Sequence, residues 1–162
     1  MTTTITPFLW FDDQAEQAAA LYTSIFNGRI VGEHRWGAGG PAPEGSLMSV
    51  TFDLAGCRYE AFNGGPGHPF HDSFSISVTV DTQKEVDDAW DRLLEGGGQP
   101  VACGWLIDRF GLSWQIVPKA LGELLSDPDP ERSSRAMQAM LRMVKIDEAA
   151  LRAAADGADL AP

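Results

Sequence analysis

Apolar and polar residues alternate most regularly at residues 73–80, Ser-Phe-Ser-Ile-Ser-Val-Thr-Val. Phe74, Ile76, Val78 and Val80 form one face of this segment, and residues with side-chain hydroxyls form the other. Successive side chains of a strand point to opposite faces of its sheet. The pattern therefore predicts a strand with one face in the core and one face open to a cavity or to solvent.

Residues 104–118 predict a strand, a tight turn at residues 108–111 and a closing strand at residues 112–117. In the closing strand one face carries Leu112, Trp114 and Ile116, and the other carries Ser113, Gln115 and Val117. Gln115 is then a polar group facing a core or a cavity, where it requires a hydrogen-bond partner. That partner could be protein, water, a ligand or a metal ion.

A strand–helix–strand–strand–strand unit occurs twice, at about residues 5–63 and 73–118. The two helices begin in similar strings, Asp-Asp-Gln-Ala-Glu at residues 12–16 and Asp-Thr-Gln-Lys-Glu at residues 81–85. Each string predicts a capping box, formed by Asp13 with Glu16 and by Thr82 with Glu85. In this register Thr6 of the first module corresponds to Ser75 of the second, which indicates a duplication.

The chain after residue 118 is predicted to be helical. Asp129 followed by Pro130 predicts a helix that reaches about Met143, and Asp147 predicts the start of a last helix. The first of these helices carries an apolar stripe of Ala136, Met137, Met140, Leu141 and Val144. This stripe is typical of ordinary packing, and packing across a dimer is the alternative.

The formal net charge of −11 argues against nucleic acid as a partner, because phosphate binding relies on clustered Lys and Arg. The chain has no apolar run long enough to span a bilayer, so no membrane partner is expected. Its first residues lack the pattern of a signal peptide, and its two cysteines form no disulfide framework. We therefore expect a cytoplasmic protein with reduced thiols.

Several strings together resemble one protein family. They are Ile-Thr-Pro-Phe-Leu-Trp-Phe-Asp at 5–12, Asn-Gly-Gly-Pro at 63–66, the segment 103–118, Leu-Leu-Ser-Asp-Pro-Asp-Pro at 124–130 and Met-Gln-Ala-Met-Leu at 137–141. The chain resembles the PhnB-like group, also labelled the 3-demethylubiquinone-9 3-methyltransferase domain, of the vicinal-oxygen-chelate superfamily, which includes glyoxalases, bleomycin-resistance proteins and dioxygenases. The resemblance implies an α+β fold, with two βαβββ modules forming a partly open barrel at residues 1–118 and a helical extension at 119–162. It also implies a homodimer.

The resemblance further implies where a metal would bind. Metal-dependent relatives place His, Glu or Gln on the first and last strands of each module, which correspond here to Thr6, Glu60 or Ala61, Ser75 and Gln115. Hydroxyl groups are poor ligands for a catalytic divalent metal, so only Gln115 and Glu60 qualify. We therefore expect no metal centre of the family type and no cofactor, with a divalent metal at a rearranged site as the alternative.

The residues that alternate onto one face of the predicted strands predict a ligand pocket with an aromatic wall and a row of small hydroxyls. Its predicted lining residues are Thr6, Phe8, Trp10, Ser75, Ser77 and Gln115. A filled barrel without a ligand is the alternative. Glu60 is a candidate general base if it is buried near the cavity, whereas a solvated Glu60 would have no such role.

Three functions remain open at this point, and the residues do not decide whether the protein is an enzyme. The first is a metal-independent protein that binds a small molecule, and the second is a metal-dependent lyase, isomerase or dioxygenase. The third is an interaction protein acting through the methionine-containing stripe. Methyl transfer is not expected, because the glycine run at residues 37–40 is followed by prolines and does not open a helix.

Overall fold

The computed structural model describes residues 2–158 and has the α+β architecture that the sequence predicts. Over these residues it contains two four-stranded mixed sheets and five helices. The chain divides into two compact units, Met1–Phe70 and His71–Pro162. Each unit contains one strand–helix–strand–strand–strand module, which confirms the predicted repeat. Residues 159–162 of the predicted extension lie outside the described part of the chain.

The first unit contains one sheet and one helix. Its elements are β1 (Phe8–Phe11), α1 (Ala15–Ile25), β2 (Arg29–Arg35), β3 (Leu47–Leu54) and β4 (Cys57–Asn63). The strand order is β1-β4-β3-β2, in which β1 is parallel to β4 and the other pairs are antiparallel. The sheet does not close on itself, so β1 and β2 are edge strands.

The edge strand β1 is shorter than predicted. The pattern predicts a strand from residue 5, whereas β1 begins at Phe8, so Thr6 precedes it. Pro7 has no N–H to donate to a neighbouring strand, and its carbonyl accepts a hydrogen bond from the amide of Glu60 at 3.0 Å. The proline thus marks the point where regular pairing begins.

One face of the first sheet is covered by α1. The helix buries its small-residue stripe of Ala15, Ala18 and Ala19 together with Tyr22, and it contacts β3 and β4. Leu9 and Phe11 of β1 are also buried, while the intervening Trp10 is half-buried. Strand alternation therefore leaves the opposite face of this sheet available for a site.

The predicted capping box of α1 is wrong. The N-cap residue is Gln14, and its side chain makes no capping hydrogen bond. Instead, Asn63 at the end of β4 accepts a hydrogen bond from the amide of Ala15 at 2.8 Å through Oδ1. Since the sheet supplies this cap, Asp13 and Glu16 are not needed for it.

The second unit contains the other sheet and four helices within the described residues. Its elements are β5 (Ser75–Val80), α2 (Gln83–Leu94), β6 (Gln99–Pro100), β7 (Trp105–Ile107), β8 (Ser113–Pro118), α3 (Lys119–Leu125), α4 (Pro130–Met140) and α5 (Glu148–Ala155). The strand order is β5-β8-β7-β6, with β5 parallel to β8. This parallel pair repeats the arrangement of β1 and β4.

The start of α2 confirms its predicted capping box. Thr82 is the N-cap, and its Oγ1 accepts a hydrogen bond from the amide of Glu85 at 3.3 Å. In return, the Glu85 carboxylate accepts a hydrogen bond from the amide of Thr82 at 2.9 Å. The helix buries Val86, Ala89 and Trp90 on one face.

The predicted turn before β8 is organised by a buried carboxylate. Asp108 is 3% exposed, and its Oδ1 accepts hydrogen bonds from the amides of Phe110 and Leu112 at 2.8 and 3.0 Å. Its Oδ2 accepts a hydrogen bond from Nε1 of the fully buried Trp114 at 2.9 Å. The turn is therefore tied to the core by three hydrogen bonds to one side chain.

The C-terminal helices pack on one another around their own apolar cluster. Its buried members are Leu121, Leu124, Ala136, Ala139, Ile146, Leu151, Ala154 and Ala155. Gln83 of α2 joins this region to the module, because Nε2 donates to the carbonyl of Ile146 at 3.0 Å and Oε1 accepts from the amide of Glu148 at 2.8 Å. Asp129 and Asp147 cap α4 and α5 as predicted.

The predicted apolar stripe of α4 is only partly buried. Ala136 is fully buried and Met140 packs against the cluster, whereas Met137, Leu141 and Val144 are 42%, 60% and 50% exposed. The helix ends at Met140, before the predicted end at Met143. The later residues leave the helical register and therefore do not continue its buried face.

Within residues 2–158, none of the helices is both long and apolar enough to cross a bilayer.

Candidate functional site

The strand register defines the open face of the first sheet. Phe8 lies opposite Glu60, and Trp10 lies opposite Phe62, in the parallel pair of β1 and β4. Ser49 of β3 lies beside Phe62 on the other side. Residues in register on neighbouring strands point to the same face. The face opposite α1 therefore combines aromatic rings with a carboxyl group and a hydroxyl.

Phe62 is the centre of an aromatic cluster on this face. Its ring centroid lies 5.5 Å from that of Phe8, 5.0 Å from that of Trp10 and 6.3 Å from that of Trp36. The Trp10 ring meets Phe62 edge-on at 79°, and its Nε1 donates a hydrogen bond to the carbonyl of Gly65 at 2.9 Å. The rings are therefore held in place by mutual packing and by one polar contact.

Gly64 allows the backbone to pass close to these rings. A Cβ atom at this position would lie 2.1 Å from Cε2 of Trp10 and 2.5 Å from Cε1 of Phe62. No side chain fits such a gap without displacing a ring. The Asn-Gly-Gly-Pro string at residues 63–66 thus shapes the aromatic wall.

A cavity of about 680 Å³ opens beside the cluster, entirely within the first unit. Its lining residues are Trp10, Asp12, Asp13, Glu16, Gln17, Trp36, Pro41, Ala42, Pro43, Ser46, Leu47, Phe62, Asn63, Gly64 and Gly65. This volume lies in the range of small-molecule sites.

One wall of the cavity comes from the loop at residues 37–45 between β2 and β3. The amide of Trp36 donates to the carbonyl of Ser46 at 2.9 Å, and the amide of Gly45 donates to the carbonyl of Trp36 at 2.8 Å. These two bonds close the base of the loop. Pro41 and Pro43, which lie within the loop, line the cavity. The loop is therefore anchored at both ends beside the aromatic cluster.

The rim of the cavity is acidic. Asp12, Asp13 and Glu16 lie just before and within the first turn of α1, and all three are exposed. Over residues 2–158 none of these carboxylates forms an ion pair, and no Lys, Arg or His lines the cavity. The site thus combines negative charge with aromatic surface.

Glu60 lies on the same face but outside the cavity lining. Its Oε1 accepts a hydrogen bond from Oγ of the fully buried Ser49 at 2.7 Å. The contact holds the half-buried Glu60 carboxyl group against β3. Its suggested role as a general base remains a prediction.

The open face of the second sheet is built from hydroxyls and one amide. Ser75 lies opposite Ser113, and Ser77 lies opposite Gln115, in the parallel pair of β5 and β8. Gln115 Nε2 donates a hydrogen bond to Oγ of Ser75 at 2.9 Å. The polar partner that Gln115 requires is therefore supplied by the same sheet.

A smaller cavity of about 360 Å³ lies within the second unit. It is lined by Asp72, Val101, Ala102, Cys103, Trp105, Leu106, Ile107 and Ser113. The predicted ligand residues Ser75, Ser77 and Gln115 do not line it.

The two registers show that Glu60 and Gln115 occupy equivalent positions. If Thr6 corresponds to Ser75, then Phe8 corresponds to Ser77, and these residues pair with Glu60 and Gln115. Of the two residues that the resemblance suggests in β4, the register thus selects Glu60. Among residues 2–158, no group of three or more His, Cys, Asp and Glu side chains is arranged to hold a metal ion.

The structure places some predicted ligand residues at this cavity and others elsewhere. Trp10 lines the first-unit cavity, Phe8 is 55% exposed on the same face, and Thr6 is half-buried before β1. Phe62 and the acidic rim were not predicted. Phe62 could have been found from the sequence, because it lies two residues after Glu60 in β4 and therefore on the same face of the sheet.

Comparison with known proteins identifies the family. The model of the 3-demethylubiquinone-9 3-methyltransferase family matches residues 3–117. A solved structure of a PhnB protein from Bacillus cereus is 32% identical, with a TM-score of 0.64. The match covers 72% of this chain and 99% of that one. No functionally curated protein matches the sequence.

More distant structures share the fold. A Pseudomonas aeruginosa protein is 23% identical over 72% of this chain and 98% of its own, with a TM-score of 0.59. The fosfomycin resistance protein FosX of Listeria monocytogenes, in complex with Mn(II) and sulfate, is 16% identical over 77% of this chain and 96% of its own, with a TM-score of 0.52. The chain therefore belongs to the 3-demethylubiquinone-9 3-methyltransferase (PhnB-like) family and has a fold of the vicinal-oxygen-chelate type.

Proposed function

We propose that this protein binds a small organic molecule in the first-unit cavity without the help of a metal ion. The observation that carries the proposal is the aromatic cluster of Trp10, Phe62 and Trp36 beside a cavity of about 680 Å³. Aromatic side chains offer large apolar surfaces at little cost in conformational entropy, which suits ligand binding.

The side chains at the family's metal positions support a metal-free site. Thr6 and Ser75 offer hydroxyls, Gln115 offers an amide and Glu60 offers a carboxylate. Catalytic divalent sites are built from several imidazole and carboxylate ligands. In addition, Glu60 accepts a hydrogen bond from Ser49, and Gln115 donates one to Ser75. This donor set does not fit a catalytic metal, which disfavours the metal-dependent lyase, isomerase or dioxygenase.

A nucleotide methyl donor does not fit this fold either, despite the description of the family. Such donors bind where a glycine-rich loop connects a parallel strand to a helix N-terminus. Here the glycine-rich loop at residues 37–45 joins the antiparallel strands β2 and β3. We therefore propose binding rather than methyl transfer.

The proposal is tested with N-phenyl-1-naphthylamine, a neutral aromatic probe that becomes fluorescent in apolar sites. The protein is titrated in EDTA. We expect saturable binding that Trp36→Ala weakens about tenfold, or about 1.4 kcal/mol. Trp105→Ala is the matched control, because Trp105 is also half-buried and lines the smaller cavity of the second unit. Binding that requires added Mn(II) or Zn(II), or that Trp105→Ala abolishes instead, would contradict the proposal.

Self-association is a second candidate role, favoured by the exposure of Met137, Leu141 and Val144. Sedimentation velocity tests it directly. A homodimer that Leu141→Gln converts to monomer would support this role, and a monomer at all concentrations would exclude it.

A further inference from the structure

The first-unit cavity has features that select the charge of its ligand. We infer that it takes an organic cation, namely an amine or quaternary ammonium group carried on a small apolar or aromatic body. This inference rests on the proposed function, because it specifies the ligand class of the same cavity. Three properties of the cavity carry it: its aromatic walls and, among residues 2–158, the absence of ion pairs at its carboxylates and of basic residues in its lining.

The aromatic walls offer ring surfaces to a cation. Trp10 and Trp36 flank Phe62 and line the cavity with it. Among aromatic side chains, tryptophan gives the strongest cation–π attraction. Gly40 packs against Trp36, since a Cβ at Gly40 would lie 3.0 Å from Cε3 of that ring. One indole thus packs against its own loop, and the other is held by its hydrogen bond to Gly65.

The carboxylates of the rim are not used by the fold. Acidic residues before a helix often serve as caps, but here Asn63 accepts the hydrogen bond from the first amide of α1. Asp12, Asp13 and Glu16 also have no ion-pair partner within residues 2–158. Their negative charge is therefore available to a ligand.

Neighbouring positive charge does not cancel the rim. The N-terminus of α1 carries only about half a positive charge, against three carboxylates. The Arg35 guanidinium is held by the Glu33 carboxylate at 2.8 Å and by the carbonyl of Gly45 at 3.1 Å. His68 packs its ring 4.5 Å from Trp10 but does not line the cavity. The rim therefore retains a negative potential that attracts cations and repels anions.

The test compares two ligands of the same shape. Benzyltrimethylammonium is a cation, and neopentylbenzene is its neutral isostere. Both are titrated in EDTA at low ionic strength while the indole NMR signals of the intact protein are followed. We expect the cation to bind at least about tenfold more tightly than the neutral compound. Raising the salt concentration should weaken binding of the cation alone, because screening acts on the charged ligand.

The triple variant D12N/D13N/E16Q should largely remove the preference for the cation, because it neutralises the three rim carboxylates while the aromatic walls remain. The matched control is D88N/D91N/E95Q in the second unit, which removes the same formal charge. Asp88 and Asp91 lie in α2, and Glu95 follows its last residue. The control should retain the preference.

The outcomes separate the two proposals. Equal affinity for both compounds, or a preference that the control variant also loses, would overturn the cation inference and leave the proposed cavity intact. If neither compound nor N-phenyl-1-naphthylamine binds, the proposed function itself fails. A cation preference in the unmodified protein that the rim variant removes would support both.

Discussion

The two units share one framework but differ in the chemistry of their open faces. Both sheets pair their first strand in parallel with their last strand, and Glu60 and Gln115 occupy equivalent positions in that pairing. The first face carries aromatic rings and adjoins an acidic rim, whereas the second carries serines and one amide that bond to each other. The same backbone arrangement therefore carries two different surface chemistries.

The helix starts show the same divergence. Glu16 and Glu85 occupy corresponding places in the repeated strings at residues 12–16 and 81–85. Glu85 is part of a capping box, in which hydrogen bonds from Thr82 lower the pKa of its carboxyl group. In the described part of the chain Glu16 makes no such contact, because Asn63 caps α1 from the sheet. The repeated string thus forms a capping box in the second unit but not in the first.

The largest expected effect is on the turn before β8. Asp108→Ala should lower the free energy of unfolding by about 3–5 kcal/mol, since it leaves buried donors of the turn and of Trp114 without their acceptor. Urea denaturation measures the loss. Asp53→Ala beside the first-unit hairpin is the control, because Asp53 bonds to the exposed guanidinium of Arg58. An equal loss in both variants would show that burial of the Asp108 carboxylate is unimportant.

A smaller effect is expected at the aromatic wall. Gly64→Ala should destabilise the protein by about 1–3 kcal/mol, because the new methyl group overlaps the Trp10 and Phe62 rings. It should also abolish binding of N-phenyl-1-naphthylamine. Gly122→Ala in α3 is the control, since its Cβ would meet no atom within 4 Å and alanine favours a helix. Unchanged probe binding in Gly64→Ala would contradict the cavity as the ligand site.

The equivalent polar pairs should differ in strength. Double-mutant cycles measured by urea denaturation should give about 1.5–3 kcal/mol for Glu60 with Ser49 and about 0.5–1.5 kcal/mol for Gln115 with Ser75, because only the first pair contains a charged acceptor. Each cycle compares the unmodified protein with the two single alanine variants and the double alanine variant. The reverse order would show that charge does not distinguish the two faces.

The smallest effect should depend on pH. The pKa of Glu85 is lowered from 4.5 by its hydrogen bonds with Thr82, so its stabilisation is present above the unfolded pKa and is lost as pH falls through the lower folded value. Glu85→Gln should therefore reduce the urea midpoint at pH 7 and flatten its decline below about pH 4.5. The matched variant Glu16→Gln should change neither. A similar response in both variants would mean that the two glutamates play the same structural role.

Local patterns account for most of the fold that the sequence predicts. The alternation at residues 73–80 and 112–117 and the Thr82 cap depend on neighbours in the chain. The structure confirms the cap and both strands, but β5 begins at Ser75 and Phe74 of its predicted core face is 44% exposed. The cap of α1 was predicted wrongly, because Asn63 lies 48 residues from Ala15 in sequence. Residues 12–16 alone therefore give no indication of this long-range partner.

The candidate site was harder to predict than the fold. Trp10 follows from strand alternation alone, but its grouping with Trp36 and Phe62 depends on the closed base of the loop at residues 37–45. The role of Asp108 likewise depends on Trp114 reaching back from the next strand. The grouping of the three rings depends on packing between residues that are distant in the chain, whereas the Asp108 contact spans only six residues.

The indole NMR signals of Trp10 and Trp36 provide the most direct test of a metal-free cavity in the first unit. The protein is stripped of metal with EDTA, and amide and indole signals are followed during titration with N-phenyl-1-naphthylamine. We predict saturable shifts of both indole signals and of the Gly64 amide, with Ser77 and Gln115 unchanged. Shifts confined to the second sheet, or shifts that appear only after a divalent metal is added, would contradict the proposed function.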